Sequence, residues 1–167
     1  MSATNKNREY SNVEAIDLIH QMANLYISTK TPRDYGTGEA YTAVEVHTLK
    51  YIADHPGITL TDLSKVYAKT KGALSQIIKK IEQKGLIYRE GALENENRYH
   101  LYVTEKGKTL DAAHREYDRM HSGESMNRLR ELVSEDEFNS AFHVLELWLD
   151  VRRDVQQQRL ERRKLKK

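Results

Sequence analysis

The chain contains no cysteine, and only two prolines, two phenylalanines and one tryptophan stand among its 167 residues. Without cysteine there is no disulfide, no thiol redox sensor and no thiolate metal site, a composition that suits a reducing cytosol. Long apolar runs are missing too. Charged residues make up 31% and the mean hydropathy is −0.78, too polar for a membrane span and in keeping with a helical soluble protein. The first residues lack the basic-then-apolar order of a secretory signal, so a cytoplasmic protein with no membrane partner is expected. There is no serine nucleophile elbow, phosphate loop or paired metal-ligand motif, so the sequence is not read as an enzyme and no cofactor is assigned. Gly36-x-Gly38 is no nucleotide fingerprint, because no strand precedes it and no third glycine follows.

What is present is charge with a pattern. The formal net charge of +2 conceals an asymmetry: residues 152–167 hold eight basic side chains against Asp154 and Glu161, about +6, which leaves the rest near −4. Helical periods fill most of the chain. Ser11-x-x-Glu14 is a capping box, after which Val13, Ile16, Ile19, Met22, Ala23, Tyr26 and Ile27 repeat at helical spacing. Leu18 and Leu25 widen that stripe into an arc with two things to pack against, its own domain and a partner subunit. Thr31 to Ala40 reads as a loop. Thr42-x-x-Glu45 caps a helix whose Val46, Leu49, Ile52 and Ala53 face a core until Pro56-Gly57 stops it. Beyond Thr104, Leu110, Ala113, Tyr117 and Met120 mark another helix. Gly123 weakens it while Met126, Leu129 and Leu132 keep its period. Ser134-x-x-Glu137 opens the last helix, where Phe138, Phe142, Leu145 and Leu149 form a seam near Trp148. So much aromatic surface on a terminal helix predicts a two-fold dimer interface.

The most informative stretch is Thr59 to Thr104. A helix after Thr70 places Ala73, Leu74, Ile77, Ile78 and Ile81 on one face and Lys71, Ser75, Gln76, Lys79 and Lys80 largely on the other, with Gly85 as its stop. Between Lys65 and Arg89 there are seven basic residues against Glu82 alone. Taken alone this could be an ordinary amphipathic helix with a solvated lysine face, or one that enters a DNA major groove, with lysines on phosphates and Ser75 and Gln76 on base edges. Upstream, Thr59-Leu60-Thr61-Asp62 opens a short helix with Leu60, Leu63, Val66 and Tyr67 inward, and three residues connect the two helices. Downstream, Leu86–Glu90 and Tyr99–Val103 bracket a polar loop as a β-hairpin with a long tip. Helix, turn, basic helix and hairpin is the order of a winged helix-turn-helix.

From about Tyr41 to Gly107 the chain resembles the multiple-antibiotic-resistance regulator (MarR) family of bacterial transcription factors. The likeness rests on Thr42–Ala53 leading into His55-Pro56-Gly57, the Leu60/Leu63 helix, the basic helix, the Lys84-Gly85-Leu86-Ile87 exit, and the return Leu101-Tyr102-Val103-Thr104-Glu105-Lys106-Gly107. The resemblance implies a mainly α fold with a small β-hairpin wing and dimerisation helices at both ends. The expected division is 1–40 (dimerisation helix and loop), 41–104 (winged helix-turn-helix) and 105–167 (dimerisation helices and basic tail). It implies a homodimeric regulator of double-stranded DNA, a repressor on a palindromic operator released by a small-molecule effector. The DNA contacts it implies are Thr61, Lys69, Thr70, Lys71, Ser75, Gln76, Lys79 and Lys80 with Arg89, Asn95, Asn97 and Arg98 of the wing. One departure stands out. The family's wing has an Asp and an Arg two apart, and counting back from Thr104 those positions hold Asn95 and Asn97, with Arg98 one residue late. Either the wing is a residue shorter or its tip contact differs.

Other chemistry is weaker. Asp111-x-x-His114 and Asp118-x-x-His121 place carboxylate and imidazole one turn apart, and some members of the resembled family sense zinc. Such pairs on a charged helix face are more often solvated ion pairs, so no metal is assigned. Tyr26, Tyr35 and Tyr41 flank the junction between the first helix and the winged domain, where the family binds aromatic effectors. They are either lining residues or core. The alternative function, a winged-helix protein-interaction module without DNA binding, would call for apolar anchors where the basic helix carries Lys, Ser and Gln.

Overall fold

The computed structural model describes residues 8–27, 31–67, 69–91 and 99–164, without the side chains of residues 26, 27, 163 and 164. The chain forms two compact units, Met1–Pro32 and Arg33–Lys167. In the first, the Glu14 N–H donates to the Ser11 hydroxyl at 3.3 Å and the Ser11 N–H to the Glu14 carboxylate at 3.0 Å, closing the expected capping box. These bonds, with Arg8 beside them, hold the Glu14 carboxyl down to about 2. Helix α1 (Asn12–Ile27) follows, and Val13, Leu18, Met22 and Leu25 stand exposed along it.

The second unit opens with two short antiparallel strands, β1 (Arg33–Asp34) and β2 (Ala40–Tyr41), where the sequence reading has only a loop. The Asp34 carboxylate turns the chain between them by accepting from the N–H groups of Gly36, Thr37 and Gly38. Gly36 and Gly38 both sit at positive φ, so this glycine pair serves a turn. Helix α2 (Ala43–Asp54) begins at the Thr42/Glu45 capping box. Helices α3 (Leu60–Val66) and α4 (Lys71–Gln83) are capped by the hydroxyls of Thr59 and Thr70.

Three strands close the winged fold. β3 (Ile58–Thr59), β4 (Ile87–Glu90) and β5 (His100–Val103) form an antiparallel sheet in the order β3-β5-β4. The hairpin strands fall where expected, whereas β3 is an addition: Ile58 pairs with Leu101 just before Thr59 turns to cap α3. Val46, Leu49 and Ile52 of α2, Leu63 of α3, Leu74, Ile78 and Ile81 of α4 and Leu86, Ile87 and Leu101 of the sheet bury together. Each such side chain is worth roughly 1.5 to 3 kcal/mol of burial, so the apolar face of α4 anchors it in the core.

Helix α5 (Glu105–His121) starts at Thr104, whose hydroxyl accepts from Gly107 N–H at 3.1 Å and donates to Gly85 O at 2.7 Å. Its first turn crosses the chain at Leu86 so closely that a Cβ on Gly107 would lie 2.1 Å from the Leu86 carbonyl oxygen. No larger residue fits there without moving backbone. Leu110 joins the core but Met120, expected on the same stripe, is exposed. Ser122 interrupts the helical run before α6 (Gly123–Leu132). Ser134 and Glu137 then form a capping box that opens the 30-residue α7 (Glu135–Lys164). Val144, Leu147 and Val151 on this helix are more than half exposed.

Candidate nucleic-acid interface

The two faces of α4 differ sharply. Leu74, Ile78 and Ile81 are fully buried, while Lys71, Gln76, Lys79 and Lys80 are exposed. Ser75 is half-buried at the edge of the polar face, so Gln76 rather than Ser75 points furthest from the core. Ala73, expected inward, is exposed. The face begins at Thr70, whose hydroxyl accepts from Ala73 N–H at 3.2 Å and fixes the helix start. Lys69 and Thr70 are exposed in the turn before it, and Thr61 on α3 is half-buried.

The basic residues counted along this stretch are not equivalent. Among the described residues, Lys69, Lys79 and Lys80 make no salt bridge, while three of the others are occupied. Lys65 pairs with Asp62 at 3.0 Å. Arg89 pairs with Glu82 at 2.8 Å and lies 4.2 Å above the centre of the Tyr99 ring. Lys84 is turned towards the start of α2, 2.9 Å from the Glu45 carboxylate and 4.7 Å from the centre of the Tyr41 ring. Burial alone would raise the Glu45 carboxyl. The Thr42 N–H, the Lys84 ammonium and the Thr42 hydroxyl outweigh it and bring the group below its usual range. Lys84 therefore ties the end of α4 to α2, while Lys69, Lys71, Lys79 and Lys80 stand exposed. Asn95, Asn97 and Arg98 lie outside the described residues, as does the Tyr26 side chain.

Behind this face, α2 and α5 meet at a polar cluster that sequence reasoning placed in solvent. His114 is 2% exposed. Its ring lies edge-on to His47 and Tyr35, with centroids at 4.8 and 5.2 Å, and its Nε2 is 3.5 Å from the Asp118 carboxylate. Burial lowers its pKa, Asp118 pulls the other way, and His47 pushes it further down. The Asp and His residues of α5 take other partners than the i,i+3 pairs: His114 faces Asp118, Asp111 meets Arg115, which also reaches Asp54 of α2, and His121 stacks on Tyr117. Among the described residues no three His, Asp or Glu side chains converge where they could hold a metal ion. Tyr41 is a core residue, 1% exposed, its hydroxyl pushed up to about 12 by burial and the Glu39 carboxylate it donates to. Tyr35 is half-buried between His114 and Tyr117.

The MarR family matches residues 41–96 of this chain. Curated protein sequences give no match. Among solved structures, the chain is similar to MarR of Staphylococcus aureus in complex with salicylate and kanamycin (TM-score 0.68, 19% identity, 83% of this chain and 90% of that one). It is also similar to FabT of Streptococcus pneumoniae in complex with DNA (TM-score 0.60, 20% identity, 86% and 96%). A third likeness is to the S. aureus MepR–DNA complex (TM-score 0.56, 23% identity, 87% and 99%). At these identities the likeness is one of fold.

Proposed function

We propose that this chain, matched to the MarR family over residues 41–96, is a transcriptional regulator that binds double-stranded DNA as a homodimer. The observation that carries this reading is the exposed face of α4, where Gln76 stands among Lys71, Lys79 and Lys80 opposite a fully buried apolar face. Such a face offers an amide to base edges and ammonium groups to phosphates. Two solved structures of this fold are DNA complexes, which supports the assignment. A protein-interaction module would need apolar anchors in place of these lysines.

Two copies are needed to read a palindrome, and exposed apolar residues on α7, and separately on α1, offer a second copy contact. Repression through operator occupancy in the cytoplasm is the simplest mode of action. The salicylate in the S. aureus MarR structure supports release by a small aromatic effector. Selection of sites from a random duplex pool tests the whole reading. An inverted repeat bound by a sedimenting dimer is expected; failure to enrich any sequence, or a monomer on DNA, would overturn it.

A further inference from the structure

We propose that Arg153 is a positioning residue: by holding the last carbonyl of α3 it seats the helix-turn-helix on α7 and so sets the half-site spacing that the dimer accepts. The inference rests on the DNA-binding homodimer proposed above. Sequence counting groups Arg153 among the eight basic side chains of residues 152–167. In the fold its Nε–H donates to Val66 O at 3.3 Å, across 87 residues of chain, and its Nη1 is held 2.9 Å from Asp150 on its own helix.

Val66 ends α3, and the closing carbonyls of a helix lack partners within it, so the guanidinium supplies one. The next residue, Tyr67, is anchored from the other side, its hydroxyl donating to His47 O of α2 at 3.0 Å. The turn between α3 and α4 is thus gripped by α7 and α2, and Thr70, which caps α4, lies only four residues beyond Val66. Arg153 is half-buried while Arg152 and Asp154 beside it are exposed. The same helix carries the exposed apolar residues Val144, Leu145 and Leu147, about 9 to 14 Å N-terminal to Arg153 at 1.5 Å per residue. A single rigid element therefore bears both the dimer surface and the hold on the reading head. In a two-fold reader the distance between reading heads fixes the half-site spacing.

The experiment compares wild type, Arg153→Ala and Arg153→Lys. The lysine variant keeps the charge, but its Nζ sits one bond beyond the Nε position. Hydrogen exchange of the free protein reports the turn directly. Both variants should raise exchange at the amides of Tyr67, Lys69 and Thr70 by about two- to tenfold, the worth of one hydrogen bond. On the selected operator, discrimination against sites lengthened or shortened by one base pair should fall by a similar factor in both variants, with the salt dependence unchanged. Unchanged exchange in Arg153→Ala overturns the inference, whatever happens on DNA. Weaker binding of Arg153→Ala with a salt slope lower by about one unit, restored by Arg153→Lys, overturns it in favour of a phosphate contact. Faster exchange with unaltered spacing preference refutes the spacing role. A wild-type protein that selects no site refutes the DNA-binding reading, and the spacing role with it, while the exchange measurement still decides whether Arg153 seats the turn.

Discussion

Glu45→Gln removes one charge from the contact between the start of α2 and the end of α4 and little else. Gln serves as well as Glu at the third position of a capping box, so the bond from Thr42 N–H, 2.7 Å in the native protein, survives. What is lost is the 2.9 Å ion pair with Lys84, in which the Glu45 side chain is 8% and the Lys84 side chain 33% exposed. Breaking a fully buried pair costs roughly 3 to 5 kcal/mol and an exposed pair about 0 to 1. With one partner buried and the other a third open, about 1 to 3 kcal/mol is expected, or a Tm lower by roughly 2 to 4 °C for each kcal/mol. Urea denaturation of wild type, Glu45→Gln, Lys84→Met and the double variant isolates the coupling. The pH dependence supplies a second readout. The folded Glu45 carboxyl lies below its usual 4.5, so the native state binds fewer protons there. Its stabilisation is full above that value and disappears as pH falls through the folded pKa. The gap between wild type and variant should therefore close in acid. A gap below about 0.3 kcal/mol at neutral pH, within ordinary additivity error, or one that does not narrow as the pH falls below 4.5, refutes the argument.

Gly107→Ala sets a Cβ 2.1 Å from the Leu86 carbonyl oxygen and should cost about 1 to 3 kcal/mol by overpacking; an unchanged urea midpoint would contradict the close crossing. His114 is buried with its pKa below the usual 6.5, so stability should decline as pH drops from that value towards the folded pKa. His114→Gln, which stays neutral, should flatten that decline, and parallel stability curves for the two proteins would count against it. Removing residues 156–167 should weaken binding equally on selected and random duplexes and lessen the salt dependence. Loss of discrimination would mean that the tail reads bases.

What was legible in the sequence is what is local. Ser11, Thr42, Thr70, Thr104 and Ser134 each announce a helix within four residues, and each side chain accepts the N–H that its spacing predicts. The alternation of buried and exposed residues on α4 follows for the same reason, since a helix places i and i+4 together without outside help. The rest depends on residues far apart in the chain. Strand β3 is two residues long and exists because β5 lies beside it. Lys84 and Arg89 read as unpaired cations in the sequence, and only the fold brings Glu45, 39 positions from Lys84, and Tyr99 against them. His114 is flanked by Asp111, Arg115 and Asp118, the signature of a solvated face, and it is covered by residues distant in sequence, His47 of α2 and Tyr35. Thr59 shows the limit of a local motif. Its hydroxyl accepts from Asp62 N–H, but the Asp62 carboxylate accepts in turn from that hydroxyl at 2.7 Å, where a capping box would have it accept from the Thr59 N–H.

In the proposed complex α4 reads DNA through Gln76 and grips it through Lys79 and Lys80. Titrating Gln76→Ala and Lys79→Ala on selected and scrambled duplexes at several salt concentrations separates the two roles. Gln76→Ala should lose roughly 1 to 3 kcal/mol on the selected site only and relax preference at one symmetric pair of base positions. Lys79→Ala should weaken binding on both duplexes alike and reduce the salt slope by about one unit. If Gln76→Ala leaves the preference intact while Lys79→Ala changes it, the base-reading face has been assigned wrongly, and if neither affects binding, α4 is not the reading helix.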